Sequence, residues 1–272
     1  MTSQIKKVGV IGAGTMGAGI AGQVANAGTE VWLLDLPSND ENVNILSTKG
    51  LERLKDSDMP GLMSEEAEKL INLGNTRDHF HELEDCDWIA EAVVERLDIK
   101  KALYRRLNDA CKKSTIITSN TSTIPIQLLT EGMPTEFCER FAITHFFNPV
   151  RFMRLLELVR GEFTSDDVIN TLDVFSEINL GKGVVSCSDT PGFLANRVGV
   201  FAIQCALHNA FDLKLSPTEA DAFFGRPLGL PKTGVFGLYD LIGIDLMADV
   251  VKSLVSILPE NDAFHILSLI HI

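Results

Sequence analysis

Two side chains suited to proton transfer stand twelve residues apart in the stretch THFFNPVRFMRLLE, from Thr144 to Glu157. They are His145 and Glu157, with Asn148 and Pro149 between them. An imidazole exchanges a proton near neutral pH, and a carboxylate beside it stabilises the charged form. The apolar run Phe141–Ile143 before His145 reads as a strand that delivers the histidine to a sheet edge. α/β enzymes bind and react at the carboxyl ends of their strands. The alternative is a histidine that merely closes a strand and a glutamate that is a solvated charge, and the elements around them have to decide.

The elements upstream have the pattern of a nucleotide-binding unit. Val8–Ile11 is a short apolar run followed by Gly12, Ala13, Gly14, Thr15, Met16, Gly17 and a helical stretch of small residues to Ala27. In such a strand, turn and helix, Gly12 permits the turn and Gly14 leaves room for backbone to approach a pyrophosphate. Gly17 lets the helix lie close on the strand, and the helix N-terminal N–H groups face the phosphate. A second apolar run, Glu30–Asp35, ends in an acid 21 residues after Gly14. A carboxylate there holds the adenosine ribose hydroxyls and repels a 2′-phosphate, which favours NAD over NADP. The seven glycines between Val8 and Thr29 are poor chemistry for a signal peptide or a membrane span.

Asn39–Leu73 is charged and helical in pattern, broken at Asp56–Gly61, with Ser64 placed to cap the next helix. Its basic residues Lys49, Arg53 and Lys55 meet an anionic substrate or form a solvated helical face. Trp88–Val94 is apolar apart from Glu91, as expected of a buried parallel strand. A helix follows with Ile99, Leu103, Leu107 and Ala110 on one face. Glu95 and Lys100 either flank a nicotinamide ribose or form a surface pair.

Thr115–Thr118 is another β-branched run, and it leads into Ser119–Thr123, five small polar residues that make either a helix cap or a hydroxyl-rich site. Strands are expected over Arg140–His145, Leu155–Val159 and Gly183–Cys187, with a helix over Asp166–Ile178. The alternation predicts an α/β fold, a doubly wound, mostly parallel Rossmann-type sheet. The pattern changes at Ser188–Gly192, which places a smaller all-helical domain at 189–272 after a sheet domain at 1–188. The helical part contains a long helix over Phe193–Phe211, a capping box at Ser216, Pro217 and Glu219, a loop over Arg226–Gly237 and a helix over Tyr239–Leu258.

Net charge is −13 over 272 residues, which argues against nucleic-acid or anionic-membrane partners. The five cysteines are odd in number and contain no CxxC pair, so they read as reduced, buried thiols of a cytoplasmic protein with no metal site.

With HFFNP from His145, SNTS from Ser119 and DTPGFLANR from Asp189 to Arg197, the sequence resembles the L-3-hydroxyacyl-CoA dehydrogenase family from Lys7 to about Leu258. The segments Gly225–Gly237 and Leu241–Met247 look most like bacterial members in which this part is fused ahead of an enoyl-CoA hydratase part. The resemblance implies NAD-dependent interconversion of L-3-hydroxyacyl-CoA and 3-ketoacyl-CoA in fatty acid β-oxidation. It makes His145 the general base and Glu157 its orienting carboxylate, with Ser122 and Asn196 completing the catalytic set. It also assigns Gly12, Gly14, Gly17, Asp35, Glu95 and Lys100 to NAD, and it implies an acyl-CoA thioester as substrate partner. A homodimer, or fusion to the hydratase part, is the expected assembly. DSDMPGLM departs from the family's lysine-rich sequence for CoA contacts. Leu267–Ile272 also departs from the family, so the resemblance implies a truncated chain with a foreign end. The competing readings are a non-catalytic NAD-binding or structural relative and a sugar-acid dehydrogenase of the same superfamily. Phe146 and Phe147 beside His145 favour the acyl-CoA branch.

Overall fold

The computed structural model describes residues 5–39, 41–55, 59–229 and 232–266. The chain divides into two compact units, Met1–Asp189 and Thr190–Ile272.

The first unit is built on eight strands: β1 (Lys7–Ile11), β2 (Glu30–Asp35), β3 (Ile71–Asn75), β4 (Trp88–Glu91), β5 (Ile116–Ser119), β6 (Phe141–Phe146), β7 (Leu155–Arg160) and β8 (Gly183–Ser188). They form one sheet in the order β3-β2-β1-β4-β5-β6-β7-β8. Every neighbouring pair is parallel except β6 and β7. The order reverses between β1 and β4, which puts a topological switch point at their carboxyl ends. Apolar residues are buried on both faces of the sheet, with Val8, Val10, Val31, Leu33, Trp88, Ala142 and Leu156 in one cluster and Ile89, Ile117, Phe141, Ile143 and Val159 buried outside it. The near-continuous apolar runs of the sequence are buried on both faces, as parallel strands require.

Between the strands run α1 (Thr15–Asn26), α2 (Ile45–Lys55), α3 (Glu65–Glu68), α4 (Leu97–Ala110), α5 (Ile126–Thr130), α6 (Thr135–Glu139) and α7 (Asp166–Val174). The Ser64 hydroxyl accepts from the Ala67 N–H at 3.2 Å, so this serine caps α3. Of the expected break at Asp56–Gly61, Asp56–Asp58 lie outside the described residues.

Three expectations need correction here. The stretch Asn39–Leu73 reads as mostly helical with no strand in it, yet Ile71–Asn75 is a strand, paired with β2 alone at the sheet edge. The strand expected over Trp88–Val94 ends at Glu91, where the side-chain Oε1 takes the Val93 N–H at 2.8 Å and turns the chain. Cys86 and Cys111 are buried, but Cys138, Cys187 and Cys205 are only half-buried; all five are free thiols. Burial pushes the Cys86 thiol up to about 12 and the Cys111 thiol up to about 11.

The second unit is helical: α8 (Ala195–Asp212), α9 (Pro217–Phe223), α10 (Phe236–Ile242) and α11 (Ile244–Ile257). Its own cluster gathers Val200, Leu207, Val235, Tyr239, Met247, Val251, Leu254 and Phe264. The capping box forms, with Ser216 and Glu219 bonding each other's backbone N–H and Pro217 at the first helical position. The long helix starts at Ala195 rather than Phe193, whose φ of 47° lies in the left-handed region. Tyr239–Leu258 is two helices, broken at Gly243, whose φ of 102° suits only glycine. Leu230, Pro231 and Leu267–Ile272 lie outside the described residues. Among the described residues no helix is long and apolar enough to cross a membrane.

Candidate active site

The carboxyl ends of β1, β4, β5 and β6 share one edge of the sheet, because these strands are mutually parallel. At the end of β1, Gly12 has φ of 100°, and a Cβ on it would lie 2.4 Å from the Ala92 carbonyl oxygen. A Cβ on Gly17 would lie 1.7 Å from the Gly12 carbonyl oxygen, so helix α1 rests directly on the turn that precedes it. The Cβ position of Gly14 is open, with nothing within 4 Å. Asp35, at the end of β2, accepts the Ala13 N–H at 2.5 Å and the Leu36 N–H at 2.6 Å. Its carboxylate is thereby fixed beside the turn.

These residues fit a dinucleotide. An open glycine at the start of a 12-residue helix leaves the unpaired first-turn N–H groups accessible to a pyrophosphate. The neighbouring carboxylate suits a ribose diol. A cleft of about 250 Å³ adjoins the turn, lined among others by Thr15, Arg53, Asn148 and Arg151. Of the three basic residues of α2, Arg53 Nη1 donates to the Ala13 carbonyl at 3.2 Å and Lys55 pairs with Glu68 at 2.9 Å, while Lys49 is exposed.

At the ends of β4 and β5 lies a buried charge network. Glu91 is fully buried, and its carboxylate accepts from Lys100 Nζ at 2.7 Å, the Tyr104 hydroxyl at 2.6 Å, the Ser119 hydroxyl at 2.7 Å and the Val93 N–H. Lys100 is 1% exposed and pairs at 3.2 Å with Glu95, which is 40% exposed, so the two do pair, with the lysine inside and the carboxylate at the surface. Burial pushes the Glu95 carboxyl up, but the Lys100 ammonium and the hydroxyls of Thr121 and Thr123 outweigh it and leave the group below the usual range. Burial, and then the neighbouring Glu91 charge, raise the Tyr104 phenol well above its ordinary value. The loop after β5 is thus tied to β4 and α4. Ser122 lies half-buried in that loop, and among the described residues its hydroxyl has no hydrogen-bond partner.

His145 and Glu157 are brought together by the one antiparallel pair. They are direct partners in the β6–β7 register, so their side chains emerge on the same face. His145 Nδ1 lies 2.6 Å from Glu157 Oε2, with the histidine 6% exposed and the glutamate fully buried. The solvated-charge alternative therefore fails for Glu157. The Phe147 ring packs 4.5 Å from the imidazole, and the Cys187 thiol lies 3.7 Å from the other carboxylate oxygen. Lys182 Nζ donates to the carbonyls of Val150 and Met153, the latter at 2.9 Å, which pins the loop between the two strands. Asn196 stands half-buried on the first turn of α8, in the second unit.

Glu91, Asn120 and Lys182 were not singled out from the sequence. Glu91 had a visible signal, a lone carboxylate in an apolar run with a lysine nine residues on. Nothing in the local sequence of Lys182 sets it apart.

Comparison with known proteins agrees with this architecture. Residues 7–190 match the 3-hydroxyacyl-CoA dehydrogenase NAD binding domain, and residues 192–269 match the C-terminal domain of the same family. The chain is 40% identical to a probable 3-hydroxyacyl-CoA dehydrogenase of Deinococcus radiodurans, over 96% of this chain and 76% of that protein. It is 42% identical to a putative fatty acid oxidation complex trifunctional enzyme of Rickettsia prowazekii, covering 97% of this chain but spanning only 37% of that longer protein. The crystal structure of M. tuberculosis FadB2 superposes with a TM-score of 0.82 at 29% identity, covering 97% of this chain and 90% of that one. The chain belongs to the 3-hydroxyacyl-CoA dehydrogenase family, and the sheet unit with its glycine turn falls within the family's NAD binding domain.

Proposed function

We propose that this chain interconverts L-3-hydroxyacyl-CoA and 3-ketoacyl-CoA with NAD, as a step of fatty acid β-oxidation, with His145 as general base oriented by Glu157. The observation that carries the reading is the buried contact of 2.6 Å between His145 Nδ1 and Glu157 Oε2. With Nδ1 engaged by the carboxylate, Nε2 is the nitrogen that takes the proton from the C3 hydroxyl, and Glu157 stabilises the imidazolium formed. NAD would supply the acceptor for the hydride that C3 loses. The first-turn amides of α1 and Asp35 would hold the cofactor, Glu95 and Lys100 would serve its nicotinamide ribose, and the Ser122 hydroxyl donates to the reacting oxygen. Asn196 donates to the substrate's oxygens. General-base catalysis supplies roughly 10²–10⁴-fold of the rate, and positioning supplies the rest.

The relatives' names support the substrate class, and the longer trifunctional relatives support a fusion to further enzyme parts, for which the enoyl-CoA hydratase part is our reading. Five free thiols suit a cytoplasmic location. The test is to add acetoacetyl-CoA and NADH to the purified chain and follow NADH absorbance. Turnover that disappears in His145→Ala while NADH affinity stays within about threefold is the expected result. No NADH loss, beside an active full-length relative, would sink the reading.

A further inference from the structure

The parallel ladder between β5 and β6 pairs Ile117 with Phe141, Thr118 with Ala142 and Ser119 with Ile143, and it stops there, two residues short of His145. In a parallel ladder alternate residues turn their N–H and C=O groups to the same neighbour. Ile117 N donates to the Arg140 carbonyl at 3.0 Å, so on β6 the amides that face β5 are those of Ala142, Thr144 and Phe146. The acceptor due to the Phe146 N–H is the Thr121 carbonyl. Thr121 has left the strand: its own N–H turns back to the Ser119 hydroxyl at 3.2 Å, and its side chain is drawn to Glu95.

Asn120 fills the gap. Its Oδ1 accepts the Phe146 N–H at 2.9 Å, while its backbone N–H makes the regular bond to the Glu91 carbonyl at 2.8 Å. One residue therefore ties β4 by its main chain and β6 by its side chain, immediately after His145. Phe146 is only 2% exposed, so without this acceptor its amide would be left without a partner away from water. His145 itself faces Glu157 across the other edge of β6.

We infer that Asn120 is a positioning residue for His145. Its side-chain carbonyl makes the ladder rung that the backbone of Thr121 does not make, and so fixes the strand end that carries the imidazole against both neighbouring strands. The inference rests on the reading of His145 as the base, because only then does the placement of this strand end set the rate. A displacement on the order of 1 Å in a reacting group costs about 10²-fold.

The test compares Asn120→Leu, which keeps the branched shape and removes the acceptor, with Asn120→Asp, which keeps an acceptor oxygen. Amide hydrogen exchange at Phe146 and steady-state kinetics are read on each, beside His145→Ala. In the wild type the Phe146 amide exchanges slowly. Asn120→Leu speeds that exchange and lowers kcat by roughly 10- to 100-fold, with NADH affinity within about threefold. Asn120→Asp restores protection and most of the rate. Fast exchange at Phe146 in the wild type overturns the rung whether or not any variant folds. Unchanged exchange in a folded Asn120→Leu, or kcat within twofold of wild type while His145→Ala is dead, overturns the positioning role. An active His145→Ala instead overturns the reading of the base, and the exchange data still decide the rung.

Discussion

Replacing Glu91 with leucine tests the reasoning on the buried network most severely. The substitution keeps an apolar side chain of similar size at a fully buried position, so packing is nearly conserved. Lys100, at 1% exposure, keeps only Glu95 at 3.2 Å, and Glu95 is itself 40% exposed. The Tyr104 and Ser119 hydroxyls and the Val93 N–H lose an acceptor at the same moment. Breaking a buried pair by removing one partner costs about 3–5 kcal/mol. The orphaned donors share the site and do not add in full, so the expected loss is about 4 kcal/mol. With a urea slope of about 2 kcal/mol/M, the midpoint falls by about 2 M. The chain's two tryptophans, Trp32 and Trp88, both belong to the first unit, so their fluorescence follows that unit's unfolding in the cofactor-free protein. Adding Lys100→Met to Glu91→Leu removes the uncompensated charge and should recover about 2 kcal/mol. A Glu91→Leu loss under about 1 kcal/mol, or a double variant as unstable as the two singles combined, would refute the account.

Three further outcomes are expected. Glu157→Gln keeps the hydrogen-bonding shape opposite His145 but removes the charge, so kcat should fall about 10²-fold with NADH affinity within about threefold; an unchanged kcat in stopped assays of the folded variant contradicts this. Asp35→Ala should weaken NADH binding about tenfold in fluorescence titration and narrow the preference for NADH over NADPH, since the carboxylate proposed to meet the ribose diol is gone; an unaltered preference contradicts it. Burial holds Lys182 at about 8, against an ordinary 10.5. Below about pH 8 the ammonium is charged in both states. Between pH 8 and 10.5 the unfolded chain retains a proton that the folded chain has released, so this group's contribution to stability rises with pH. The stability of wild type minus that of Lys182→Met, measured by denaturation, should therefore increase across that window, and a flat or falling difference counts against it.

Much of the sheet is legible in the sequence because each buried strand needs apolar residues on both faces. Val8–Ile11 and Glu30–Asp35 carry that signal unmistakably. Strand β3 does not: Ile71–Asn75 is INLGN, with two asparagines and a glycine, and it needs only one neighbour because it lies at the edge. Gly243 is a case of a different kind. A lone glycine is tolerated inside a helical pattern, and only the backbone angle of 102° shows that the chain breaks there. In the network, Glu91 stands out in one dimension only as the lone carboxylate of an apolar run, and the sequence does not say that Lys100 is its partner. Their burial depends on β4 and α4 facing each other, which periodicity alone does not encode.

The pairing of His145 with Glu157 follows from chain geometry more than from either residue. Consecutive antiparallel strands pair inward toward their connection, one residue from each side at a time, as Ala142 with Arg160, Ile143 with Val159 and Thr144 with Leu158 lead to His145 with Glu157. The length of the connection between Phe146 and Leu155 therefore decides which residue faces the histidine, and a slip of one residue in register turns side chains to the opposite face. The connection is held accordingly. Arg151 donates to the carbonyls of Pro60 and Leu62, at 2.7 and 3.3 Å, and Lys182 holds those of Val150 and Met153. Lys182 and Arg151 anchor the connection from the loop side, and Asn120 bonds the end of β6 from the β5 side. The carboxylate that faces the imidazole is thus selected by the length of a loop that lies outside the pair itself.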